Sequence, residues 1–297
     1  MIDRPALRLR IEPADELLCH GPLADRTKRF ALHWAQFHQL PQPRCSIEVL
    51  ESPPEHVGLG VGTQLGLAIA AGLSALVGLP SMTGPELAIS VARGQRSAVG
   101  TYGFTMGGLI VEKGKLPGEP ISPLDCRIDL PIDWRFLLVR PLGSVGLSGS
   151  DEAAAIDSLP AIEPETTERL VAEARDHLIP AAATGDFPAF AASVYRYGHL
   201  SGSCFAARQG GPFNGPLLAE LVEQVRRLGG KGAGQSSWGP TIFAALENEA
   251  QAKSLQHSLQ AAWSGPPLDF VIAAPNNRGA QIDVTHQKSR TNTISQT

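Results

Sequence analysis

At 297 residues, with 43% hydrophobic and 18% charged residues, the chain is long enough to bury a core of its own and too apolar to be disordered. A formal charge of −4 supplies no basic field for nucleic acid or an anionic membrane, so any anion must be held locally. Cys19, Cys45, Cys126 and Cys204 are scattered and form no C-x-x-C pair, which excludes the common zinc and thioredoxin-type signatures and fits a reduced, cytoplasmic setting.

The first five residues lack the basic start and apolar run of a signal peptide. Residues 7–11 alternate apolar and charged, as a half-buried strand does. Residues 22–40 predict a helix, with Phe30, Trp34 and Phe37 at three- and four-residue spacing, and residues 45–49 predict a second strand. A Pro/Gly loop over 53–62 runs into an apolar, alanine-rich helix ending near Gly78. The apolar stretch 65–79 is broken by glycines and falls short of the ~20 residues a membrane span needs. Thr83 or Gly84 caps a helix predicted over 85–93, with Pro85 in the first turn. A glycine-rich stretch over 94–108 leads into a strand at 109–111, and residues 135–140 predict another.

A Gly/Ser-rich segment, 143–150, marks a change of composition. Beyond it the chain reads as helical to about residue 228, then as a glycine-rich loop over 229–239. A strand (241–246), a helix (248–263) and a last strand (268–274) follow. The stretch 276–297 is polar and unpatterned and is expected to be disordered. Together these elements predict an α+β protein of two lobes, 1–142 and 151–275.

Three segments carry candidate chemistry. In His56-Val57-Gly58-Leu59-Gly60-Val61-Gly62-Thr63-Gln64 the glycines allow sharp bending and close approach of a ligand to backbone amides. The following helix start offers unpaired N–H groups and a partial positive charge suited to phosphate. Thr63 adds a hydroxyl for phosphate or a metal; a plain loop with a threonine cap is the alternative. Gly230-Lys231-Gly232-Ala233-Gly234-Gln235-Ser236-Ser237-Trp238 can form a nest of amide donors, or simply a tight helix–strand connection. In Arg93-Gly94-Gln95-Arg96 the two arginines can fork onto phosphate or carboxylate, or complement a helix C-terminus. His56 and His199 are weaker candidates, more ordinary as structural residues. No H-E-x-x-H, G-x-S-x-G or P-loop is present.

Pro54-Glu55-His56-Val57-Gly58-Leu59-Gly60, followed far downstream by Gly232-Ala233-Gly234-Gln235-Ser236-Ser237, resembles the second and third motifs of the GHMP kinases, although Val61-Gly62-Thr63-Gln64 replaces the usual serine pair. Order and separation fit over nearly the whole chain. The resemblance implies a GHMP-kinase-like two-lobed α+β fold, with an N-terminal lobe like ribosomal protein S5 domain 2 and a ferredoxin-like C-terminal lobe. The runs Gly58 to Leu65, Arg93 to Phe104 and Gly234 to Thr241 resemble one branch more closely, the β-ribofuranosylaminobenzene 5′-phosphate synthases. Those enzymes join phosphoribosyl pyrophosphate to a 4-substituted benzoate and release CO2 and pyrophosphate, on the way to methanopterin-type carriers.

The kinases carry a catalytic aspartate in the stretch matching Ala98 to Gly103, where this chain has Val99, Gly100, Thr101 and Tyr102. The departure favours the synthase over an ATP-dependent small-molecule kinase. The family's fold opens with strands ahead of the stretch matching Met1 to Pro5, so those strands are expected to be missing, and a non-catalytic binding protein is the third reading. By this resemblance Gly58, Gly60, Gly62, Thr63, Gln64, Gly232, Gly234, Ser236 and Ser237 bind the phosphates. Arg93, Arg96 and Tyr102 are the catalytic candidates, and Mg2+ arrives with the substrate phosphates and touches Thr63. The expected partners are phosphoribosyl pyrophosphate and a benzoate derivative, with no nucleic acid and no membrane; the resemblance leaves room for a homodimer.

Overall fold

The computed structural model describes residues 1–144, 146 and 154–285. The chain opens with β1 (Arg8–Pro13), β2 (Leu18–His20), α1 (Ala24–Phe37) and β3 (Cys45–Glu51), forming a three-stranded sheet of order β1-β3-β2. β1 runs antiparallel to β3, and β2 parallel to it. Alternation along β3 sends Cys45, Ile47 and Val49 into the core, where Phe30, Ala31 and Trp34 of α1 meet them. Trp34 donates its indole N–H to Ser74 Oγ at 3.1 Å, so this large ring is buried without an orphaned donor. Burial pushes the Cys45 thiol up to about 11, and Cys45 behaves as a small hydrophobe.

Helix α2 (Val61–Leu76) is apolar nearly all round because α1, β1 and the short helices α3 (Gly84–Ser90) and α4 (Val99–Met106) surround it. A capping box starts α3. Glu86 N donates to Thr83 Oγ1 at 3.4 Å and Thr83 N to Glu86 Oε2 at 2.7 Å. Those bonds hold the Glu86 carboxyl below its usual range. Helix α4 lies inside the stretch read from sequence only as glycine-rich. Its glycines serve close packing: a side chain on Gly103 would overlap Met1, and one on Gly100 would touch Thr63 at 3.4 Å.

β4 (Leu109–Glu112) pairs antiparallel with β5 (Leu124–Ile128). A four-stranded antiparallel sheet of order β7-β8-β6-β9 follows, from β6 (Arg135–Pro141), β7 (Gly232–Gln235), β8 (Ile242–Leu246) and β9 (Leu268–Ala273). The helical block between β6 and β7 comprises α5 (Pro164–Ala172), a π-helical turn (Glu173–Leu178), α6 (Ile179–Thr184), α7 (Phe187–Ser203), α8 (Ala206–Gln209) and α9 (Gly215–Arg227). α9 and α10 (Glu249–Ala262) bury Leu218, Leu221, Val222, Val225, Leu255 and Leu259 with the inward residues of β6 and β8. Phe190 of α7, with Trp134, Leu178 and Ala182, forms a separate buried cluster that includes Ala245 of β8.

The expected disordered tail needs correction at its start. Asn276 N donates to the Met1 carbonyl at 3.0 Å, and its own carbonyl accepts from Gly108 N at 2.7 Å. The Asn277 side chain pairs with Leu130 N (3.0 Å) and O (2.8 Å), and Ala280 N donates to the Phe104 carbonyl at 2.6 Å. Residues 276–280 thus bind the chain's last strand to α4 and β4. Residues 286–297 and most of the Gly/Ser-rich segment lie outside the described residues. Among the described residues no helix is long and apolar enough to cross a membrane.

Candidate functional site

The first loop enters α2 through two left-handed glycines, Gly58 (φ 86°) and Gly60 (φ 66°), with Gly60 as the N-cap. Because the cap has no side chain, it accepts only through its carbonyl, from Thr63 N (2.9 Å) and Gln64 N (3.1 Å). The amides of the first turn, Val61 and Gly62 among them, have no acceptor within the helix, which leaves this end with free donors and positive polarity. Gly60 is exposed, and a side chain there would meet nothing within 4 Å.

The second loop reaches the first. Ser236 Oγ donates to the Gly58 carbonyl at 2.8 Å, although 178 positions separate them. A side chain on Gly58 would overlap the Ser236 carbonyl, and one on Gly239 would overlap the backbone of Val57 and Gly58. Gly146 N closes the group by donating to the His56 carbonyl at 2.8 Å. Three backbone segments therefore abut at this point, and glycine is what permits it. Behind them the buried Trp238 ring packs edge-on against Phe205, with centroids 5.1 Å apart. Asn214 Nδ2 donates to the Trp238 carbonyl at 3.3 Å, and Asn214 N to Gln235 Oε1 at 2.7 Å. Ser237 is exposed with φ 54°, and its carbonyl accepts from Gln235 Nε2 at 2.7 Å.

Cations come to the helix start from two directions. Arg93 Nη2 donates to Thr63 Oγ1 at 3.3 Å. Arg26 of α1 forms an ion pair with Glu55, and its guanidinium occupies the space a side chain on Gly62 would need. The sequence offered a faint signal for Arg26: it precedes Phe30 by one helical turn, and its guanidinium lies 5.9 Å from that ring's centroid. Gln64 Nε2 donates to the Gly100 carbonyl at 3.0 Å, tying α2 to α4.

Three of the sequence-based assignments change. Gly232 and Gly234 belong to strand β7, not to an anion nest, and are buried. A side chain on Gly232 would lie 3.0 Å from the Ala191 Cα, and one on Gly234 would lie 2.9 Å from the Phe243 ring, so both admit close packing. Gly62 keeps its place at the helix start: its amide is among the open donors, and its bare side accommodates Arg26. Tyr102 is a brace: its hydroxyl donates to the Ser122 carbonyl (3.1 Å) and accepts from Leu124 N (3.2 Å). Arg96 is exposed ahead of α4.

An acid also reaches α4 that local sequence did not disclose. Glu112, at the end of β4, accepts from Ala98 N at 2.6 Å and from Ser97 Oγ at 2.8 Å. It caps the helix start whose Gly100 carbonyl accepts from Gln64. Across from it, burial pushes the Tyr197 hydroxyl up, with the Glu112 charge adding to the shift. Of the two candidate histidines, His56 is exposed, and His199 lies between Tyr195, tilted against it, and Phe213, edge-on to it. The described residues contain no group of three or more His, Cys, Asp or Glu able to hold a metal.

The family described as GHMP kinases C terminal matches residues 178–265. The chain is 31% identical over 208 residues to β-ribofuranosylphenol 5′-phosphate synthase of Methanothermobacter thermautotrophicus, a match spanning 66% of this chain and 62% of that protein. It is 26% identical over 310 residues to the synthase of the same name from Archaeoglobus fulgidus, spanning 95% and 90%. Among solved structures, homoserine kinase from Cytophaga hutchinsonii superposes with a TM-score of 0.65 at 15% identity, covering 94% of this chain and 89% of that one. Mevalonate kinase of L. major superposes with a TM-score of 0.63 at 18% identity, covering 92% and 87%. The chain thus shares the fold of the GHMP kinases almost end to end, and residues 178–265, which hold the helices and strands that carry the second loop, match their C-terminal family.

Proposed function

We propose that the protein joins phosphoribosyl pyrophosphate to 4-hydroxybenzoate, releasing CO2 and pyrophosphate, as a β-ribofuranosylphenol 5′-phosphate synthase of methanopterin-type carrier synthesis. The observation that carries this reading is the similarity to the Archaeoglobus synthase along 95% of the chain. The phenol in that name favours the hydroxybenzoate over the aminobenzoate.

The residues suit the chemistry. As the C1′–oxygen bond breaks, its electron pair leaves with pyrophosphate and positive charge grows on the ribose. Fixed donors beside the leaving group therefore act mainly on the transition state. The open amides after Gly60, the Thr63 hydroxyl, Arg93 and the Arg26–Glu55 pair supply them. The benzoate's ring carbon bearing the carboxylate forms the new bond to C1′. Loss of CO2 then returns that carbon–carbon pair to the ring and restores aromaticity, so the step balances without an added oxidant or reductant. With no acidic cluster among the described residues, Mg2+ fits as an ion held chiefly by pyrophosphate oxygens, with Thr63 as a protein contact. Bound there, it would neutralise charge on the leaving group.

One observation favours a second reading, an ATP-dependent small-molecule kinase: Glu112 brings a carboxylate to the start of α4. Incubation with phosphoribosyl pyrophosphate, 4-hydroxybenzoate and Mg2+, followed by mass spectrometry, tests the synthase. A C-riboside 5′-phosphate that has lost the carboxylate supports it, and unchanged 4-hydroxybenzoate refutes it.

A further inference from the structure

We propose that a groove at the far end of β7, rimmed by Lys231, Arg226 and Arg196, is a second ligand site, one that takes a small molecule with an anionic group on a flat apolar body. The groove encloses about 500 Å3, within the range of metabolite sites. Phe187, Pro188, Ala191 and Ala192 of α7 form one apolar wall, and Ala245 and Leu246 of β8 lie opposite. No carboxylate is among the lining residues.

The groove is separate from the phosphate-binding candidate. β7 spans Gly232–Gln235, with Lys231 before its first residue and Ser236 after its last. Four extended residues cover about 13 Å. Lys231, part of the same glycine-rich motif, therefore sits at the opposite end of β7 from Ser236.

The local charges are unevenly matched. Arg196 is neutralised by Glu173, with Nε to Oε2 at 3.0 Å and Nη2 to Oε1 at 2.8 Å. The Arg226 guanidinium lies 3.3 Å from the Tyr195 ring centroid, and its nearest acid is Glu223 at 3.7 Å. Its Nε is buried without a hydrogen-bond partner among the described residues. Gln251 Nε2 donates to Glu247 at 3.2 Å, and Lys231, exposed, forms no ion pair among the described residues. An anion in the groove pairs with Lys231 and meets the partly exposed Arg226 head, while the stacked Arg226–Tyr195 pair offers a flat face to an aromatic or alicyclic body. The small side chains of Ala191 and Ala192 leave room for that body.

The test uses the full-length protein and 2-naphthoate as probe, followed by amide NMR, with 2-naphthylmethanol as the uncharged analogue. The expected result is saturable shifts at Ala191, Ala192, Tyr195, Lys231 and Leu246. Lys231→Glu, at an exposed site, should weaken binding by about tenfold or more while leaving the remaining spectrum unchanged, and Lys231→Arg should retain it. The uncharged analogue should bind at least about tenfold more weakly. Absence of saturable shifts in the groove overturns the proposal, as do shifts confined to Gly58–Thr63 or equal affinity for Lys231→Glu and the wild type.

Discussion

Ser236 Oγ and the Gly58 carbonyl, 178 positions apart, are joined by a 2.8 Å hydrogen bond, and this contact fuses two glycine-rich segments into one surface at the start of α2. The glycines of that surface have different duties. A Cβ on Gly60 meets nothing within 4 Å, whereas one on Gly58 overlaps the Ser236 carbonyl. Gly60→Val should therefore cost only the left-handed strain of about 1–2 kcal/mol, while its side chain fills ligand space. Isothermal titration with phosphoribosyl pyrophosphate and Mg2+ should show affinity reduced by more than about tenfold in a folded protein. Gly58→Ala should lower both affinity and melting temperature. Wild-type affinity in Gly60→Val would remove the first loop from the site.

The Arg93–Thr63 contact at 3.3 Å predicts a shared loss. Thr63→Val and Arg93→Gln should each reduce kcat/KM by roughly ten- to a hundredfold, in line with about 1.5–3 kcal/mol for hydrogen bonds involving a charge. The double variant should lose less than the sum if the two act on one phosphate. Strict additivity would show that they work separately.

Glu112 separates capping from catalysis. If it only holds the start of α4, Glu112→Gln keeps an acceptor for Ala98 N and loses roughly 0.3–1 kcal/mol of charge–dipole stabilisation, with turnover nearly unchanged. That outcome is expected of the synthase. A fall of about 10²–10⁴-fold in kcat with the melting temperature preserved would instead identify a proton-transferring acid and favour the kinase.

Much of the fold was legible in the sequence because it depends on period. The alternation in 45–49 and the three- and four-residue spacing of Phe30, Trp34 and Phe37 predict which face is buried, and β3 and α1 bury those faces except at Phe37, which is exposed near the helix end. The course of the first loop was legible too: its glycines lead into the apolar helix α2 through the left-handed Gly58 and Gly60. What failed was the division of glycines into those that meet ligand and those that meet protein. Gly232 and Gly234 look like loop glycines, yet Ala191 and Phe243 occupy their open sides. Such contacts arise between distant segments and leave no local pattern. Tyr102 misled for the same reason, its hydroxyl being committed to Ser122 and Leu124. The ordered start of the polar tail depends on Asn276 and Asn277 meeting backbone groups of Met1, Gly108 and Leu130, which no periodicity announces.

Glu173, in the π-helical turn, predicts a pH dependence. Burial pushes its carboxyl up, but hydrogen bonds from Arg196 and Ser193 outweigh this and hold it below the usual range. A carboxyl lowered by folding contributes stability above its unfolded value near 4.3, and that contribution is lost as pH falls through the folded value. Glu173→Gln should thus be less stable than wild type at pH 7, by about 1–3 kcal/mol, with the gap closing in more acidic buffer. A gap that widens on acidification would contradict the pairing.

The most direct measurement supplies 4-hydroxybenzoate labelled at its carboxyl carbon, together with phosphoribosyl pyrophosphate, ATP and Mg2+, and follows labelled CO2, pyrophosphate and ADP in one reaction. The synthase predicts CO2 and pyrophosphate in equal amounts, dependent on both substrates, with no ADP formed, and loss of both products in Gly60→Val. ADP release that depends on an added small alcohol such as homoserine or mevalonate, with the label retained in benzoate, would contradict it.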